Sequence, residues 1–328
     1  IAFGSCAKHW QHQPIWETIA DQNPDLFLFL GDAIYSDTDG KTAWAVTEKQ
    51  LQGEWNRLAD KPEYQRFRSQ VPIMVTWDNH DYGTHNGGAE FELKEVSKKI
   101  FLDFFGEPAE SPRRKRAGLY DAKVFGPEGK RVQIVLLDTR TFRGPFKADS
   151  RDKQQRAKIG KVGKYIPHDD SSVSFLGEEQ WQWLEAELRQ PAEVRLVCSS
   201  TQVIPNTKGM DEWGCYPHAR RRLFDLFDQT KASGVILLSG NVHFAEISRT
   251  DAPAYPLLEF TSSGMTHIDL EYAHADNPSR LAGPMTKLNF GFVEIDWSAK
   301  LATRVLLKAI GLDGKVEFDH SMSLDHLR

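Results

Sequence analysis

Continuous apolar runs that end on polar residues recur along much of the chain. Each run is rich in Val, Ile, Leu or Phe and does not alternate with polar positions, which is the pattern of strands buried on both faces. We therefore predict interior β-strands within residues 1–6, 25–32, 71–81, 131–140, 194–202 and 234–243.

Helical spacing separates several of these runs. Apolar side chains recur at three- and four-residue intervals, which places them on one face of a helix. The segments with this pattern are 96–104, which stops at Gly106; 181–188, which follows the acidic pair Glu178–Glu179; and 223–227, on a helix expected to end near Gly234.

Beyond residue 250 the pattern changes, because the predicted strands 256–264, 290–297 and 301–310 follow one another without helices. Alternation of β and α first, with strands last, predicts an α/β protein. We expect a two-sheet β-sandwich flanked by helices rather than a doubly wound sheet.

No segment has the composition of a linker, so we predict a single domain over residues 1–328, with 250–328 as its β-rich C-terminal part. Residues 144–176 are polar, carry five lysines and lack apolar periodicity. A stretch of this length and composition is typical of an active-site flap, an insertion or a partly disordered segment.

Composition excludes some classes of function. The chain has 328 residues, 40% of them hydrophobic, and a net charge of −5. This charge gives no electrostatic reason to expect nucleic acid or an anionic membrane as a partner, and no stretch approaches the ~18 apolar residues of a membrane span. One basic run, 113–116, is interpreted either as a solvated loop or as a feature that attracts an anionic substrate.

Side chains that bind metal ions or phosphate follow the predicted strands. Because open α/β sheets bind ligands at the carboxyl ends of their strands, we expect these side chains to converge. They are Cys6; Asp32 with Tyr35; Asp78, Asn79, His80 and Asp81; Asp138 with Arg140; Gln202; and Asn241 with His243.

The Cys, Asp, Tyr and His side chains at these strand ends predict a ferric ion. A buried carboxylate such as Asp32 needs a partner or a metal ion, and it can bridge two cations. Tyr35 follows three residues later, and a phenol that titrates near ~10 becomes a ligand only against a strongly Lewis-acidic ion. The Cys6 thiolate is a further anionic ligand. A set of Cys, Asp, Tyr and His suits ferric iron better than magnesium.

A second cation would share Asp32 and take oxygen atoms from Asn79, Asn241 and Gln202. These are the donors that calcium or magnesium prefers over zinc. Asp78 and Asp138 are further candidate ligands at neighbouring strand ends.

Three side chains are candidates for catalysis. We interpret His80 as a candidate general acid, with Asp81 holding its ring. Arg140 either binds a pair of phosphate oxygens through its planar guanidinium or braces Asp138 or Asp78 in a structural ion pair. Histidines outside these motifs, including His9 and His267, are expected to be surface or core residues.

The motifs resemble those of a known superfamily. GDAIY (31–35), NHD (79–81) and GNVH (240–243) are similar to the signature blocks of calcineurin-like dinuclear metallophosphatases. The chain more specifically resembles the alkaline phosphatase D (PhoD-like) family. That resemblance rests on Ser5-Cys6, WDNHDYG (77–83), LDTRTFR (137–143) and LGEEQWQWLEAEL (176–188), in the expected order up to about residue 265.

The resemblance implies a four-layer αββα metallophosphatase core that hydrolyses phosphate mono- or diesters and releases inorganic phosphate. It implies Fe³⁺ and Ca²⁺ as cofactors, with Mg²⁺, Mn²⁺ or Zn²⁺ as alternatives at the second site. It also implies a periplasmic or secreted protein, an expectation to which the start at Ile1 contributes. Carried over by position, the iron ligands are Cys6, Asp32, Tyr35 and His243, and the ligands of the second cation are Asp32, Asn79 and Asn241.

The chain departs from the family at two places. Asn79 stands where the family usually has Asp, so the second site loses a negative charge, and His85 and Asn86 replace a frequent Asn-Asp pair and are left out of the predicted ligands. Two alternatives stay open at this point. One is a non-catalytic binding module with this fold, which the presence of Asp32 and His80 disfavours. The other is a metal-dependent hydrolase of non-phosphate bonds, which would depend less on Arg140.

Overall fold

The protein folds into two large sheets and one small one. The computed structural model describes residues 1–298 and 303–327. In chain order the strands are β1 Ala2–Gly4, β2 Phe27–Leu30, β3 Ile73–Thr76, β4 Asp121–Phe125, β5 Val132–Leu136, β6 Lys147–Ala148, β7 Tyr165–Ile166, β8 Val194–Ser199, β9 Val235–Ser239, β10 Ala245–Thr250, β11 Leu257–Ser262, β12 Arg280–Met285, β13 Asn289–Asp296, β14 Arg304–Gly311 and β15 Val316–Ser323.

Helices connect most of the strands in the first three quarters of the chain. None of those in the described residues is long and apolar enough to cross a membrane. The α-helices are α1 Ile15–Asp21, α2 Glu48–Ala59, α3 Pro62–Gln70, α4 Asn79–Tyr82, α5 Lys94–Phe104, α6 Pro112–Lys115, α7 Lys153–Ala157, α8 Glu178–Leu188, α9 Pro217–Thr230 and α10 Leu270–Ala273, with 3-10 turns at Trp213–Cys215 and Leu324–Leu327.

Each large sheet has parallel strands at its interior. The six-stranded sheet has the order β15-β14-β13-β1-β2-β3, in which β1, β2 and β3 are parallel. The seven-stranded sheet has the order β12-β10-β11-β9-β8-β5-β4, in which β5, β8, β9 and β11 are parallel. The carboxyl ends of parallel neighbours lie at one edge of a sheet, so each sheet presents the loops after its parallel strands along one side.

The two sheets pack face to face, with helices on the outside. Phe3 of β1 and Phe260 of β11 meet across the interface with ring centroids 5.0 Å apart. On the opposite face of the six-stranded sheet, Phe27 and Phe29 of β2 pack against Trp16 of α1. Because both faces of β2 are buried, its sequence is continuously apolar.

The predicted fold class is confirmed: the chain is an α/β protein with two sheets between helical layers. The predicted helices correspond to α5, α8 and α9, although α9 ends at Thr230, before Gly234. The strand predicted at 301–310 is β14, of which residues 301 and 302 lie outside the described residues.

Some elements were not predicted. Helix α2 buries Leu51, Trp55 and Leu58 on one face, and Thr47 caps it by accepting a hydrogen bond from the Gln50 N–H. Its spacing and cap are ordinary helix signals. Strand β4 lies at the edge of the sheet, and its residues are partly or fully exposed. Its sequence therefore lacks the apolar pattern that predicts a strand.

The basic run 113–116 has a structural role. Arg113 is buried, donates hydrogen bonds to the carbonyls of Val75 and Leu119, and pairs with Glu107. It therefore ties α6 to β3, and neither interpretation made from the sequence holds for this side chain. The three cysteines, Cys6, Cys198 and Cys215, are buried and free.

Gly31 permits the close approach of two strand ends. Its φ is +102°, and a Cβ atom placed on it would lie 2.4 Å from Cβ of Asp78 and 2.6 Å from the Asp78 nitrogen. A side chain here would therefore disturb the loops after β2 and β3 together.

We expect Gly31→Ala to lower the free energy of unfolding by more than Gly129→Ala does. Gly129 also has a positive φ, of +82°, but a Cβ there meets nothing within 4 Å, so its substitution carries only the backbone penalty of about 1–2 kcal/mol. The clash at Gly31 adds a further cost of about 1–3 kcal/mol. Urea unfolding of both variants measures the difference, and equal losses would show that the two loops separate without cost.

Candidate metal centre

Three potential ligands from different strands meet at the edge where the parallel strands end. Cys6 follows β1, Asp32 follows β2 and His243 follows β9. Their ligand atoms all lie within 4.8 Å of one another. The Cys6 sulfur is 3.4 Å from Oδ2 of Asp32 and 3.2 Å from the Ser263 hydroxyl. The predicted convergence of these strand ends is thus present in the structure.

The backbone at these positions is strained. Cys6, Asp32, Asn241 and His243 have φ angles of 61°, 53°, 71° and 60°. Seven non-glycine residues in the described chain have a positive φ, and these four are among them. Left-handed backbone costs energy for residues with a side chain and is concentrated at functional sites. The strain points to selection for ligand geometry rather than for stability.

Asp81 fixes the loops that carry these side chains. Its carboxylate accepts hydrogen bonds from the backbone N–H groups of Ile34 and Asp78, each at 3.0 Å, and from that of Asp32. We had predicted that Asp81 holds the His80 ring, and that prediction is wrong, because both of its oxygens are engaged with backbone. Asp81 is a positioning residue.

The partner of His80 is Asp37. The Asp37 Oδ1 atom lies 2.5 Å from Nδ1 of His80, which leaves Nε2 as the free ring nitrogen. Burial lowers the pKa of His80, but the nearby Asp32 and Asp37 carboxylates outweigh it, so the net pKa is raised. Asp37 lies five residues after Asp32 in the same loop, and the sequence alone did not distinguish it from other loop carboxylates.

Tyr35 lies between the potential ligands and two histidines. Its ring stacks on His80 with centroids 4.2 Å apart, and its hydroxyl is 3.5 Å from Nε2 of His267. Burial, followed by the nearby Cys6 and Asp32, raises the pKa of the phenol. His267, expected to be a surface or core residue, is instead part of this centre, with its ring centroid 4.1 Å from that of His243.

The amide and carboxylate oxygens beside this cluster lack partners. Oδ1 of Asn79 and Oδ2 of Asp78 are buried without a hydrogen bond. Asn241 donates its Nδ2 to the Asp211 carbonyl at 3.2 Å, an orientation that leaves its oxygen for another partner. Buried oxygen atoms without partners are costly, and a hard cation would satisfy them.

The charges of the centre also favour the binding of a cation. Burial raises the pKa values of Asp32 and Asp81, and that of Asp78 to about 7. Within residues 1–298 and 303–327, neither Asp32 nor Asp81 forms an ion pair with Lys or Arg. Burial likewise raises the pKa of Cys6. Anionic ligands in a low-dielectric site need a compensating charge, so the residues present fit a metal centre.

Arg140 does not reach the centre. It is fully buried and pairs with Asp78, while its Nη1 is 2.6 Å from Oδ2 of Asp211. The guanidinium is occupied by two carboxylates, so the structural alternative holds and the predicted catalytic contact with phosphate is corrected.

Asp138 and Gln202 are corrected as metal ligands. Both oxygens of Asp138 accept hydrogen bonds from the loop that follows β5, including the N–H groups of Arg140 and Thr141. The Gln202 amide donates to Glu246 and Thr261, and its oxygen accepts from Lys208. These side chains frame the loops instead of facing the cluster.

A cavity of about 230 Å³ opens over the centre. One part of its wall is formed by Asn79, His80, Asn241 and His243. His85 and Asn86, which we had left out of the predicted ligands, line the cavity as well, together with residues 162–165 of the polar segment. That segment carries α7 between the paired strands β6 and β7.

A model of the PhoD-like phosphatase family matches residues 1–303. The chain belongs to this family. Alkaline phosphatase D of Bacillus subtilis is 25% identical over an alignment that covers 74% of this chain and 45% of the relative. The chain thus spans about half the length of the curated relative it matches. A solved structure of PhoD superposes with a TM-score of 0.74 at 17% identity, covering 100% of this chain and 70% of that one, which supports the fold.

We expect Arg140→Met to lower the free energy of unfolding by about 3–5 kcal/mol, because it leaves Asp78 and Asp211 buried without their partner. The matched control is Arg222→Met, which removes an exposed pair with Glu178 and should cost less than about 1 kcal/mol. Urea unfolding measures both. A stability loss at Arg140 no greater than that of the control would contradict the structural assignment.

Proposed function

We propose that this protein is a metal-dependent phosphoesterase that cleaves phosphate mono- or diesters and releases inorganic phosphate. The observation that carries the proposal is the approach of the Cys6, Asp32 and His243 ligand atoms to within 4.8 Å of one another. Membership of the PhoD-like phosphatase family supports the reaction class.

In this proposal Cys6, Asp32, Tyr35 and His243 would hold a ferric ion. Asp32, Asn79 and Asn241 would hold a second, hard cation, for which Ca²⁺ is the first candidate. When bound, two cations supply a water of lowered pKa and neutralise phosphoryl oxygens. The oxygen of Asn79 that lacks a hydrogen bond supports its place among the ligands, while its lack of charge favours a divalent ion over a second trivalent one.

His80 would donate a proton to the leaving oxygen. Its Nδ1 is held by Asp37, so Nε2 is the nitrogen available to the cavity that His80 lines. The raised pKa of His80 favours the imidazolium, the form that can donate. General acid catalysis of this kind raises the reaction rate by roughly 10²–10⁴-fold. Stacking on Tyr35 fixes the plane of the ring.

The two alternatives are not favoured. A non-catalytic module would not need four strained backbone positions around one cluster. A hydrolase of non-phosphate bonds finds no support in the family or in the named relative. Dependence on Arg140 does not distinguish hydrolysis of phosphoesters from hydrolysis of other bonds, because its guanidinium pairs with Asp78 and Asp211. Export stays a prediction, which fractionation of cells that make the full-length protein would test.

We expect Asp32→Asn to abolish both metal retention and hydrolysis of p-nitrophenyl phosphate and bis(p-nitrophenyl) phosphate, because one charged ligand shared by two cations is lost. Elemental analysis of the purified protein beside the two assays measures this. Asp251→Asn is the matched control, since Asp251 is exposed and, among residues 1–298 and 303–327, pairs only with Arg249. Turnover retained by Asp32→Asn would exclude a centre built on this carboxylate.

A second expectation concerns Tyr35. If its phenolate binds ferric iron, the wild-type protein has a visible charge-transfer band that Tyr35→Phe lacks at equal iron content. The absorption spectrum, read together with iron stoichiometry, tests this independently of activity. A fully active wild-type protein that is colourless and free of iron would overturn the assignment of both the metal and Tyr35.

A further inference from the structure

The wall of the cavity carries two cations besides the proposed ligands. Arg156 belongs to α7, and Lys164 precedes β7, so both lie on the segment 144–176. Within the described ranges 1–298 and 303–327, neither side chain forms an ion pair. The lining carboxylate Asp211 is already paired with Arg140. This end of the cavity therefore has positive charge that no carboxylate of the described chain neutralises.

Arg156 has unused hydrogen-bonding capacity. Its Nη1 donates to the Arg151 carbonyl, whereas its Nε is buried without a partner. Lys164 is exposed, and its ammonium lies 5.6 Å from the centroid of the Tyr165 ring. Arg156 and Lys164 nevertheless line the cavity, so an anionic ligand there would accept charge-assisted hydrogen bonds from the guanidinium and the ammonium.

The segment is held in place by specific contacts rather than by packing alone. Asn86 donates to the Tyr165 hydroxyl at 2.8 Å, and the N–H groups of Gly163 and Tyr165 donate to the carbonyls of Lys208 and Gly209, each at 2.9 Å. A Cβ on Gly163 would lie 1.9 Å from the Gly209 oxygen, so only glycine permits this approach. Lys164 is thus presented on backbone that is hydrogen-bonded to the body of the protein, and Arg156 lies on the helix that precedes it in the same segment.

We propose that Arg156 and Lys164 form a subsite for a second anionic group on the leaving side of the substrate. This inference rests on the proposed phosphoesterase function and names its substrate class: small phosphoesters whose leaving group carries a carboxylate or a further phosphate. A cavity of about 230 Å³ is smaller than the roughly 300–1,000 Å³ of pockets for larger ligands, which favours a compact leaving group. Arginine suits the planar recognition of either anion.

Three matched substrates test the proposal in the metal-loaded protein. Glycerol 3-phosphate has no second anion, 3-phosphoglycerate adds a carboxylate, and glycerol 1,3-bisphosphate adds a phosphate. We expect kcat/KM to be about tenfold or more higher for at least one of the last two, as charge-assisted hydrogen bonds would give. We expect Arg156→Gln and Lys164→Gln each to reduce this preference several-fold, and added salt to weaken it. Whichever of 3-phosphoglycerate and glycerol 1,3-bisphosphate has the higher kcat/KM identifies the anion that the subsite binds.

Lys158→Gln is the control, because it removes the same charge from the same segment at a position that does not line the cavity. It should keep the preference. A wild-type preference near one, or an equal loss in all three variants, would overturn the subsite. Hydrolysis of p-nitrophenyl phosphate without hydrolysis of the three glycerol compounds would also overturn it while the phosphoesterase proposal stands. Failure on every phosphoester would remove both proposals.

Discussion

The site depends on the carboxylate of Asp81, which accepts hydrogen bonds from the backbone of two neighbouring strand ends. Through the N–H groups of Asp32 and Ile34 it sets the loop that presents the Asp32 carboxylate and Tyr35. Through Asp78 it sets the turn that begins α4 with Asn79 and His80. Three backbone donors on one buried acid define relative positions more rigidly than side-chain contacts between the ligands would, because backbone N–H groups have no rotamers to lose. Gly31 makes this arrangement sterically feasible by letting the two loops touch.

Charge is the second constraint, because some buried carboxylates pair with an arginine and others have no such partner among the described residues. Asp78 and Asp211 pair with Arg140, which ties together the loops after β3, β5 and β8, although Oδ2 of Asp78 keeps no hydrogen bond among the described residues. Asp32 has no such partner among the described residues and sits beside a thiol, a phenol and an unpartnered amide oxygen. Burial of this second set is unfavourable unless cations are present. Acids with and without a cationic partner therefore lie side by side at these strand ends, and Asp32, which has none, is the proposed metal ligand.

The fold and part of the site were predictable from the sequence for a physical reason. Strands such as β2 are buried on both faces, so they appear as continuous apolar runs, and the residues at their carboxyl ends must converge. This reasoning predicted that Cys6, Asp32 and His243 lie close together. It could not tell which polar side chains at those ends turn toward the cluster, because orientation depends on tertiary partners. Arg140 and Gln202 face buried acids from distant segments. Asp37 lies two residues beyond the GDAIY motif, and His267 reaches the centre from a loop with no motif.

The corrected residues connect the metal centre to the far wall of the cavity. Gln202 and Glu246 hold Lys208 in a fully buried network, and the carbonyls of Lys208 and Gly209 accept the hydrogen bonds that fix the segment carrying Lys164. Two residues later, Asp211 pairs with Arg140 and so with Asp78. One loop, 208–211, thereby links the segment 144–176 to the loops that follow β3 and β5. Gln202, Glu246 and Lys208 do not line the cavity themselves, so this buried network supports its wall from behind.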